Sequence, residues 1–187
     1  MTQVVSPLRC AAVIGAGTMG RGIVISLANA GLRVLWLDNN PQMVEQGQAM
    51  AEETWAHNVA KGRIDEAEAA ARRARIEAVD SYAALADADL VIEAVYENLD
   101  LKQRIFRELD AVMKPGAILA SNTSALDIDA IAAVTARPQD VLGLHFFSPA
   151  HIMKLLEIVR GAETAPAVLQ AARELGARMG KVAVVAG

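Results

Sequence analysis

The feature that most constrains this chain is a glycine-rich turn, GAGTMG, placed between a short apolar run and a helical pattern. In a dinucleotide-binding strand–turn–helix unit, each glycine of such a turn has its own task. Gly15 permits the tight turn, Gly17 lets the backbone approach a pyrophosphate, and Gly20 lets the helix pack close to the strand. The first helical N–H groups, at Thr18 and Met19, favour phosphate together with the positive end of the helix dipole. The turn therefore predicts a dinucleotide site.

An acidic residue stands where the ribose of a dinucleotide requires one. Asp38 ends the second apolar run, 18 positions after Gly20. A carboxylate at this point accepts from both ribose hydroxyls and repels a 2′-phosphate, which favours NAD over NADP. Asn39 and Asn40 follow Asp38, with no arginine directly after it. The other interpretation is a structural turn in which Asp38 caps the next helix.

Short apolar runs alternate with longer helical patterns along almost the whole chain. Several runs are continuous Val, Ile and Leu stretches, which are typical of strands buried on both faces. Strand and helix in alternation predict parallel βαβ units. We expect an α/β fold: one Rossmann-like, doubly wound, mostly parallel sheet in a single domain over 1–187. The predicted strands are 10–14, 33–38, 90–94, 118–121, 141–146, 155–159 and 182–185, and the predicted helices are 19–30, 41–61, 65–75, 99–113, 128–134 and 166–179.

Composition and charge argue against several classes of function. The net charge of −4, from 18 basic and 22 acidic side chains, argues against a nucleic-acid partner, which needs a basic face. A single cysteine, Cys10, excludes a disulfide within the chain and a multi-cysteine zinc site, and we expect no metal. No apolar run approaches the roughly 18 residues of a membrane span. The first residues show no signal sequence, so we expect a cytoplasmic location.

Polar residues with reactive side chains follow the later strands. A turn with the sequence SNTS covers 121–124, His145 lies near the end of the next strand, and Glu157 lies in the strand after it. Because ligands bind at the carboxyl ends of parallel strands, these residues and the glycine turn should face one crevice. His145 is then a candidate proton acceptor. A hydrogen-bonded histidine that closes a strand is an equal alternative on the residues alone.

One longer motif identifies a family. The run GLHFFSPAHIMKLLEIV at 143–159, preceded by SNTS, closely resembles the 3-hydroxyacyl-CoA dehydrogenase family. The resemblance extends through the glycine turn, IEAVYENL at 92–99 and GKV at 180–182, so it covers nearly the whole chain. It implies an NAD-dependent oxidoreductase. The family oxidises (3S)-3-hydroxyacyl-CoA to 3-ketoacyl-CoA in fatty-acid β-oxidation.

The resemblance also implies the roles of the reactive residues. His145 matches the family's catalytic base, and Glu157 matches the carboxylate that pairs with it. Ser124 matches the serine that contacts the 3-oxygen of the substrate. An imidazole that is largely neutral at physiological pH suits proton abstraction from an alcohol. Glu157 can accept from the far ring nitrogen and fix the tautomer, as the acid of a catalytic triad does.

A further set of residues matches the cofactor and substrate sites of the family. Glu97 and Lys102 match residues that line the cofactor, and we also expect Asn122 and Ser148 there. Lys61, near the end of the long second helix, is a candidate for the phosphates of coenzyme A. An ordinary basic helix end is at least as good an interpretation of Lys61.

Two departures from the family concern Ser148 and the length of the chain. Ser148 stands where single-function members usually carry asparagine, so HFFSP is more like the dehydrogenase part of multifunctional β-oxidation enzymes. The family's helical C-terminal domain is also missing. We therefore expect a truncated chain that binds NAD, turns over substrate poorly and is monomeric. The parent protein is expected to be dimeric or part of a multifunctional complex.

Two other functions remain open from the sequence. A non-catalytic dinucleotide-binding module has the same fold, and a related dehydrogenase acts on a 3-hydroxy acid that is not bound to coenzyme A. One residue stays without a role: Glu93 lies inside an apolar run, where burial requires a hydrogen-bonded partner. The sequence does not identify that partner.

Overall fold

The structure is a computed structural model that describes residues 7–187 as one eight-stranded sheet with six α-helices. Residues 1–6 of the predicted domain lie outside the described residues. The strands are β1 (Cys10–Ile14), β2 (Arg33–Leu37), β3 (Ile76–Ala78), β4 (Leu90–Glu93), β5 (Ile118–Ser121), β6 (Val141–Phe146), β7 (Leu155–Arg160) and β8 (Val182–Ala186). The α-helices are α1 (Thr18–Asn29), α2 (Pro41–Ala60), α3 (Glu66–Ala74), α4 (Leu99–Val112), α5 (Ile128–Ala132) and α6 (Pro166–Arg178), with short 3₁₀ turns at Tyr82–Leu85 and Pro138–Asp140.

The strand order explains where a ligand can bind. The order across the sheet is β3-β2-β1-β4-β5-β6-β7-β8, and neighbours are parallel except for β6 and β7. After β3 the chain crosses back to add β4 on the other side of β1, so the switch point, where open α/β sheets bind ligands, lies between β1 and β4. We call the edge at which β1, β2, β4, β5 and β6 end the carboxyl edge.

Helices cover both faces of the sheet, so the central strands are buried on both sides. One face packs against α1, α2, α3 and α6, and includes Trp36 and Trp55. The other face packs against α4 and α5, and includes Phe106. Every residue of β4 and β5 is buried, as expected for strands that consist mainly of apolar residues. The predicted Rossmann-like, doubly wound sheet is thereby confirmed.

Three details differ from or add to the sequence-based expectation. The short strand β3 was not predicted, since its three residues are partly exposed and directly follow a helix. Strand β7 runs antiparallel to β6, which brings its amino end to the carboxyl edge. Asp38 lies one residue beyond the end of β2. Among the described residues, no helix is long and apolar enough to cross a membrane.

Candidate functional site

The glycine turn lies between β1 and α1 at the carboxyl edge, and its three glycines meet different surroundings. Gly15 has a φ of +111°, and a Cβ there would lie 2.5 Å from the Ala94 carbonyl oxygen. A Cβ on Gly20 would lie 2.1 Å from the Gly15 carbonyl oxygen. A Cβ on Gly17 would meet nothing within 4 Å. Packing therefore accounts for the outer glycines, whereas the open space at Gly17 faces outward and suits an approaching phosphate.

The first turn of α1 is open to an anion. Gly17 is the N-cap of the helix, so no side chain caps the first N–H groups. Thr18 is exposed in this turn, and Met19 is half-buried and packs against the core. Free N–H groups at a helix start attract phosphate. These features fit the pyrophosphate of a dinucleotide.

Asp38 is held beside the glycine turn by two backbone hydrogen bonds. The Ala16 N–H donates to Oδ2 over 2.8 Å, and the Asn40 N–H donates to Oδ1 over 2.8 Å. The cap of α2 is Asn40, whose Oδ1 accepts from the Gln42 N–H, so Asp38 does not cap that helix. Each carboxylate oxygen of Asp38 keeps a lone pair that can accept from a ribose hydroxyl. Asn39 is exposed next to it.

The SNTS turn after β5 is bound to Glu97 from the loop after β4. Thr123 Oγ1 donates to Glu97 Oε1 over 2.7 Å, and the Ser124 N–H donates to Oε2 over 3.0 Å. The Ser124 hydroxyl also lies 3.1 Å from Oε2. Burial alone would raise the pKa of Glu97, but the hydrogen bonds from Thr123 and Ser124 and the charge of Lys102 outweigh it. The pKa of Glu97 therefore lies below its usual range.

Lys102 lies on the interior side of this turn, and its ammonium pairs with the fully buried carboxylate of Glu93. Its Nζ is 2.6 Å from Glu93 Oε2 and 3.7 Å from Glu97 Oε1. Glu93 also accepts from the Ser121 hydroxyl over 2.7 Å and from the Val95 N–H over 2.9 Å. The partner that the sequence could not name for Glu93 is therefore a lysine nine residues away. The signal was present in the sequence, because an acid inside an apolar strand requires such a partner.

His145 and Glu157 form a cross-strand pair. The register of β6 and β7 places the two residues directly opposite each other, and His145 Nδ1 lies 3.1 Å from Glu157 Oε2. The His145 ring also contacts Phe147, with the ring centroids 4.5 Å apart. Asn122 Oδ1 accepts from the Phe146 N–H over 2.8 Å, which ties the end of β5 to the end of β6. The residue pair and the SNTS turn thus share the carboxyl edge with the glycine turn.

Two predicted site residues lie further out. Ser148 is exposed just after β6 and precedes a cis peptide bond to Pro149. Lys61 is exposed at the C-terminal end of α2, which has 20 residues. At 1.5 Å per residue, that end is about 30 Å from the start of the helix near Asp38. Lys61 is therefore separate from the cluster at the carboxyl edge, within reach only of an extended ligand. In residues 7–187, no group of three or more His, Cys, Asp or Glu side chains could hold a metal ion.

A match to a protein-family model shows which family the chain belongs to. The NAD binding domain of 3-hydroxyacyl-CoA dehydrogenase matches residues 10–187. The chain belongs to this family. Because the matched domain binds NAD, the open Gly17 and the carboxylate of Asp38 are the features expected for that cofactor.

The relatives of the chain are longer proteins. The chain is 48% identical over 180 residues to a peroxisomal bifunctional enzyme of Danio rerio, covering 96% of this chain and 24% of that protein. It is 42% identical over 172 residues to a probable 3-hydroxybutyryl-CoA dehydrogenase of Bacillus subtilis, covering 92% and 60%. The crystal structure of an Escherichia coli K12 3-hydroxybutyryl-CoA dehydrogenase has a TM-score of 0.94 and 38% identity, covering 96% and 38%. The chain thus spans between a quarter and three-fifths of these proteins.

Proposed function

We propose that this chain is the cofactor-binding part of an enzyme that oxidises (3S)-3-hydroxyacyl-CoA to 3-ketoacyl-CoA with NAD, in fatty-acid β-oxidation. One observation carries the proposal: the His145–Glu157 pair at 3.1 Å stands at the same sheet edge as the dinucleotide turn. A protein that only binds a dinucleotide needs no such pair. The names of the relatives, which are bifunctional enzymes and 3-hydroxybutyryl-CoA dehydrogenases, support the substrate class.

The residues near the glycine turn bind and orient the cofactor. Bound NAD supplies the acceptor for the hydride that leaves the alcohol carbon. The backbone at Gly15, Gly17 and Gly20, with the N–H groups of Thr18 and Met19, holds the pyrophosphate. Asp38, with Asn39 beside it, accepts from the adenosine ribose.

The second half of the site removes the proton. Glu157 accepts from Nδ1 of His145, so the lone pair of Nε2 is free for the hydroxyl proton of the substrate. The same carboxylate stabilises the imidazolium that forms. Ser124 orients the 3-oxygen of the substrate: its N–H stays bound to Glu97 while its hydroxyl turns to donate to that oxygen. Positioning of this kind lowers the barrier by holding the reacting atoms together.

The remaining residues line the ligands. The nicotinamide half of the cofactor contacts Glu97 and Asn122 at the carboxyl edge, and Ser148 further out, just after β6. Lys102 lies next to Glu97, with Nζ 3.7 Å from Oε1. Lys61 at the far end of α2 binds the phosphates of coenzyme A. A 3-hydroxyacyl-CoA molecule is long enough to extend from the edge toward that helix end.

We further propose that the substrate is closed in by a part that these residues do not include. The longer relatives and the resemblance to two-domain family members support a following helical domain. Without it, orientation of the acyl chain and exclusion of water are incomplete, so these residues alone bind NAD and turn over substrate poorly. On its own this chain is a monomer, and the longer parent protein is a dimer or part of a multifunctional complex. The cytoplasmic location remains a prediction.

The proposal is tested by two measurements on the full-length protein. Calorimetry measures NAD binding, and nicotinamide absorbance follows the oxidation of 3-hydroxybutyryl-CoA and of free 3-hydroxybutyrate. Oxidation of the thioester alone supports the proposal. Oxidation of the free acid in preference supports the related dehydrogenase, and NAD binding without either oxidation supports a binding module. Either of these last two results contradicts the proposed substrate or activity.

A further inference from the structure

A buried carboxylate, that of Glu93, joins three chain segments next to the Glu97–Ser124 contact. Glu93 is fully buried at the end of β4 and accepts three hydrogen bonds. The donors are Lys102 of α4, the hydroxyl of Ser121 at the end of β5, and the N–H of Val95 in the loop that leads to Glu97. A single side chain therefore fixes the helix, the strand end and the loop relative to one another.

Stability alone does not explain a charge pair at this depth. Both side chains are removed from water, with 1% of the Lys102 side chain and none of the Glu93 side chain exposed. Desolvation of two ions offsets most of their attraction, and apolar replacements of similar size are often as stable. A role outside stability is therefore the better explanation for keeping the two charges.

The position of the ammonium suggests that role. Lys102 Nζ lies between two carboxylates, 2.6 Å from Glu93 Oε2 and 3.7 Å from Glu97 Oε1. It also lies 3.4 Å from the Val95 carbonyl oxygen. The shorter distance shows that Glu93 holds the ammonium, which leaves Glu97 Oε1 for the 2.7 Å hydrogen bond from Thr123.

We propose that Glu93 is a positioning residue, which holds the Lys102 ammonium below Glu97 and so sets the orientation of Glu97 and Ser124. Without the charge of Glu93, the ammonium turns to Glu97, which is its other carboxylate neighbour among the described residues. Glu97 Oε1 then moves toward Lys102, and its contacts with Thr123 and Ser124 lengthen. The catalytic consequence rests on the proposed function, but the geometric consequence does not.

The geometric test uses NMR on this chain. Glu93→Gln keeps the shape and an acceptor oxygen while removing the charge. We expect the Ser124 amide resonance and the side-chain carboxyl carbon resonance of Glu97 to shift, because the contacts between these two residues lengthen. Unchanged Ser124 and Glu97 signals in this variant would overturn the proposal.

The matched control removes a similar carboxylate from the other end of the same strand. Asp89 lies just before β4 and accepts from Lys114 Nζ over 2.6 Å and from the backbone N–H groups of Arg9 and Cys10. Asp89→Asn therefore perturbs a second carboxylate–lysine pair, a partly exposed one, at the opposite edge of the sheet. We expect the Ser124 and Glu97 signals of this variant to match the wild type. An equal shift in both variants would mean general loosening and would overturn the proposal.

A rescue separates the positioning role from a role in filling the interior. The double variant Glu93→Gln/Lys102→Met has no ammonium to compete for Glu97, so we expect the Ser124 resonance to return toward its wild-type position. If Glu93 only fills space, the second change restores nothing, and that result would contradict the proposal.

A second variant serves if Glu93→Gln does not fold: Glu93→Asp replaces it. The shorter side chain draws the ammonium away from its position below Glu97, and we expect the Ser124 resonance to shift in this variant too.

The catalytic consequence is measured in the full-length protein. We expect Glu93→Gln to lower kcat by roughly 3- to 30-fold, whereas Asp89→Asn keeps wild-type kcat. Equal kcat in wild type and Glu93→Gln would overturn the positioning role. If the full-length wild type does not oxidise hydroxyacyl-CoA, the proposed function fails, and the NMR result still decides the geometry.

Discussion

His145 and Glu157 face each other across the antiparallel strands β6 and β7, with Nδ1 3.1 Å from Oε2. Side chains opposite each other in such a ladder lie on the same face of the sheet, so the pairing follows from the register. The reversal of direction between β6 and β7 also places Glu157 at the carboxyl edge, where the parallel strands end. Both residues of the pair therefore lie on paired strands of the sheet, and neither lies in a loop.

Removal of the Glu157 charge should weaken the base and leave the cofactor site intact. We expect Glu157→Gln to lower kcat of the full-length protein by roughly 10- to 10³-fold, because the imidazolium loses its stabilising partner. Steady-state rates, with NAD affinity by calorimetry, check the loss of turnover and the intact cofactor site. Turnover near the wild-type rate would contradict the assigned partnership.

Asp38 should control the choice of cofactor. We expect Asp38→Ala to weaken NAD affinity roughly 10- to 100-fold, since a charged acceptor for the ribose is lost, and to relax discrimination against NADP. Asp38→Asn is the matched variant, because its amide oxygen can still accept from the Ala16 N–H. Calorimetric titration with both nucleotides measures the effect. An unchanged preference for NAD in Asp38→Ala would argue against this role.

An added methyl group should affect NAD binding at Gly17 and stability of the fold at Gly20. Gly17 has a φ of −74° and open space around its Cβ position, so Gly17→Ala should keep the wild-type unfolding midpoint while weakening NAD binding by more than about 10-fold. Gly20→Ala should lower the midpoint, since its Cβ would lie 2.1 Å from the Gly15 carbonyl oxygen. Thermal unfolding without NAD, followed by titration, distinguishes the two. Full NAD affinity in Gly17→Ala would contradict the phosphate site.

Asp89 should contribute stability that disappears in acid. Burial alone would raise its pKa, but the hydrogen bonds from Lys114, Arg9 and Cys10 outweigh burial and lower the pKa below 3.8. A carboxyl with a lowered folded-state pKa stabilises the fold above its unfolded pKa and loses that contribution as the pH falls through the folded value. Asp89→Asn should therefore cost about 1 kcal/mol of unfolding free energy at pH 7. The difference from wild type should shrink below pH 4, and a pH-independent difference in denaturant titrations would contradict it.

The fold was largely predictable because its signals are local. The glycine turn, the unbroken apolar strands and the helical patterns each depend on neighbouring residues, and seven of the eight described strands follow from them. Strand β3 was missed because three partly exposed residues give neither a buried run nor a clear alternation. The face that each helix covers depends on the crossovers and needed the structure.

The site was predictable only in part, because its contacts are long-range. The positions of His145, Glu157 and Ser124 came from a motif, whereas the register that opposes His145 to Glu157 came from the structure. The sequence marked Glu93 as unusual but could not name Lys102 and Ser121 as its partners, since they lie on other elements. The three hydrogen bonds from Thr123 and Ser124 to Glu97 likewise depend on two loops that meet only in the folded chain.

The central claim, that His145 is the base beside the nicotinamide, is tested most directly by His145→Gln in the full-length protein. The matched control is His57→Gln, because His57 is exposed on α2. We expect His145→Gln to keep the NAD affinity of the wild type and to lower turnover of 3-hydroxybutyryl-CoA by roughly 10²- to 10⁴-fold, with His57→Gln unchanged. Turnover near the wild-type rate in His145→Gln would contradict the account.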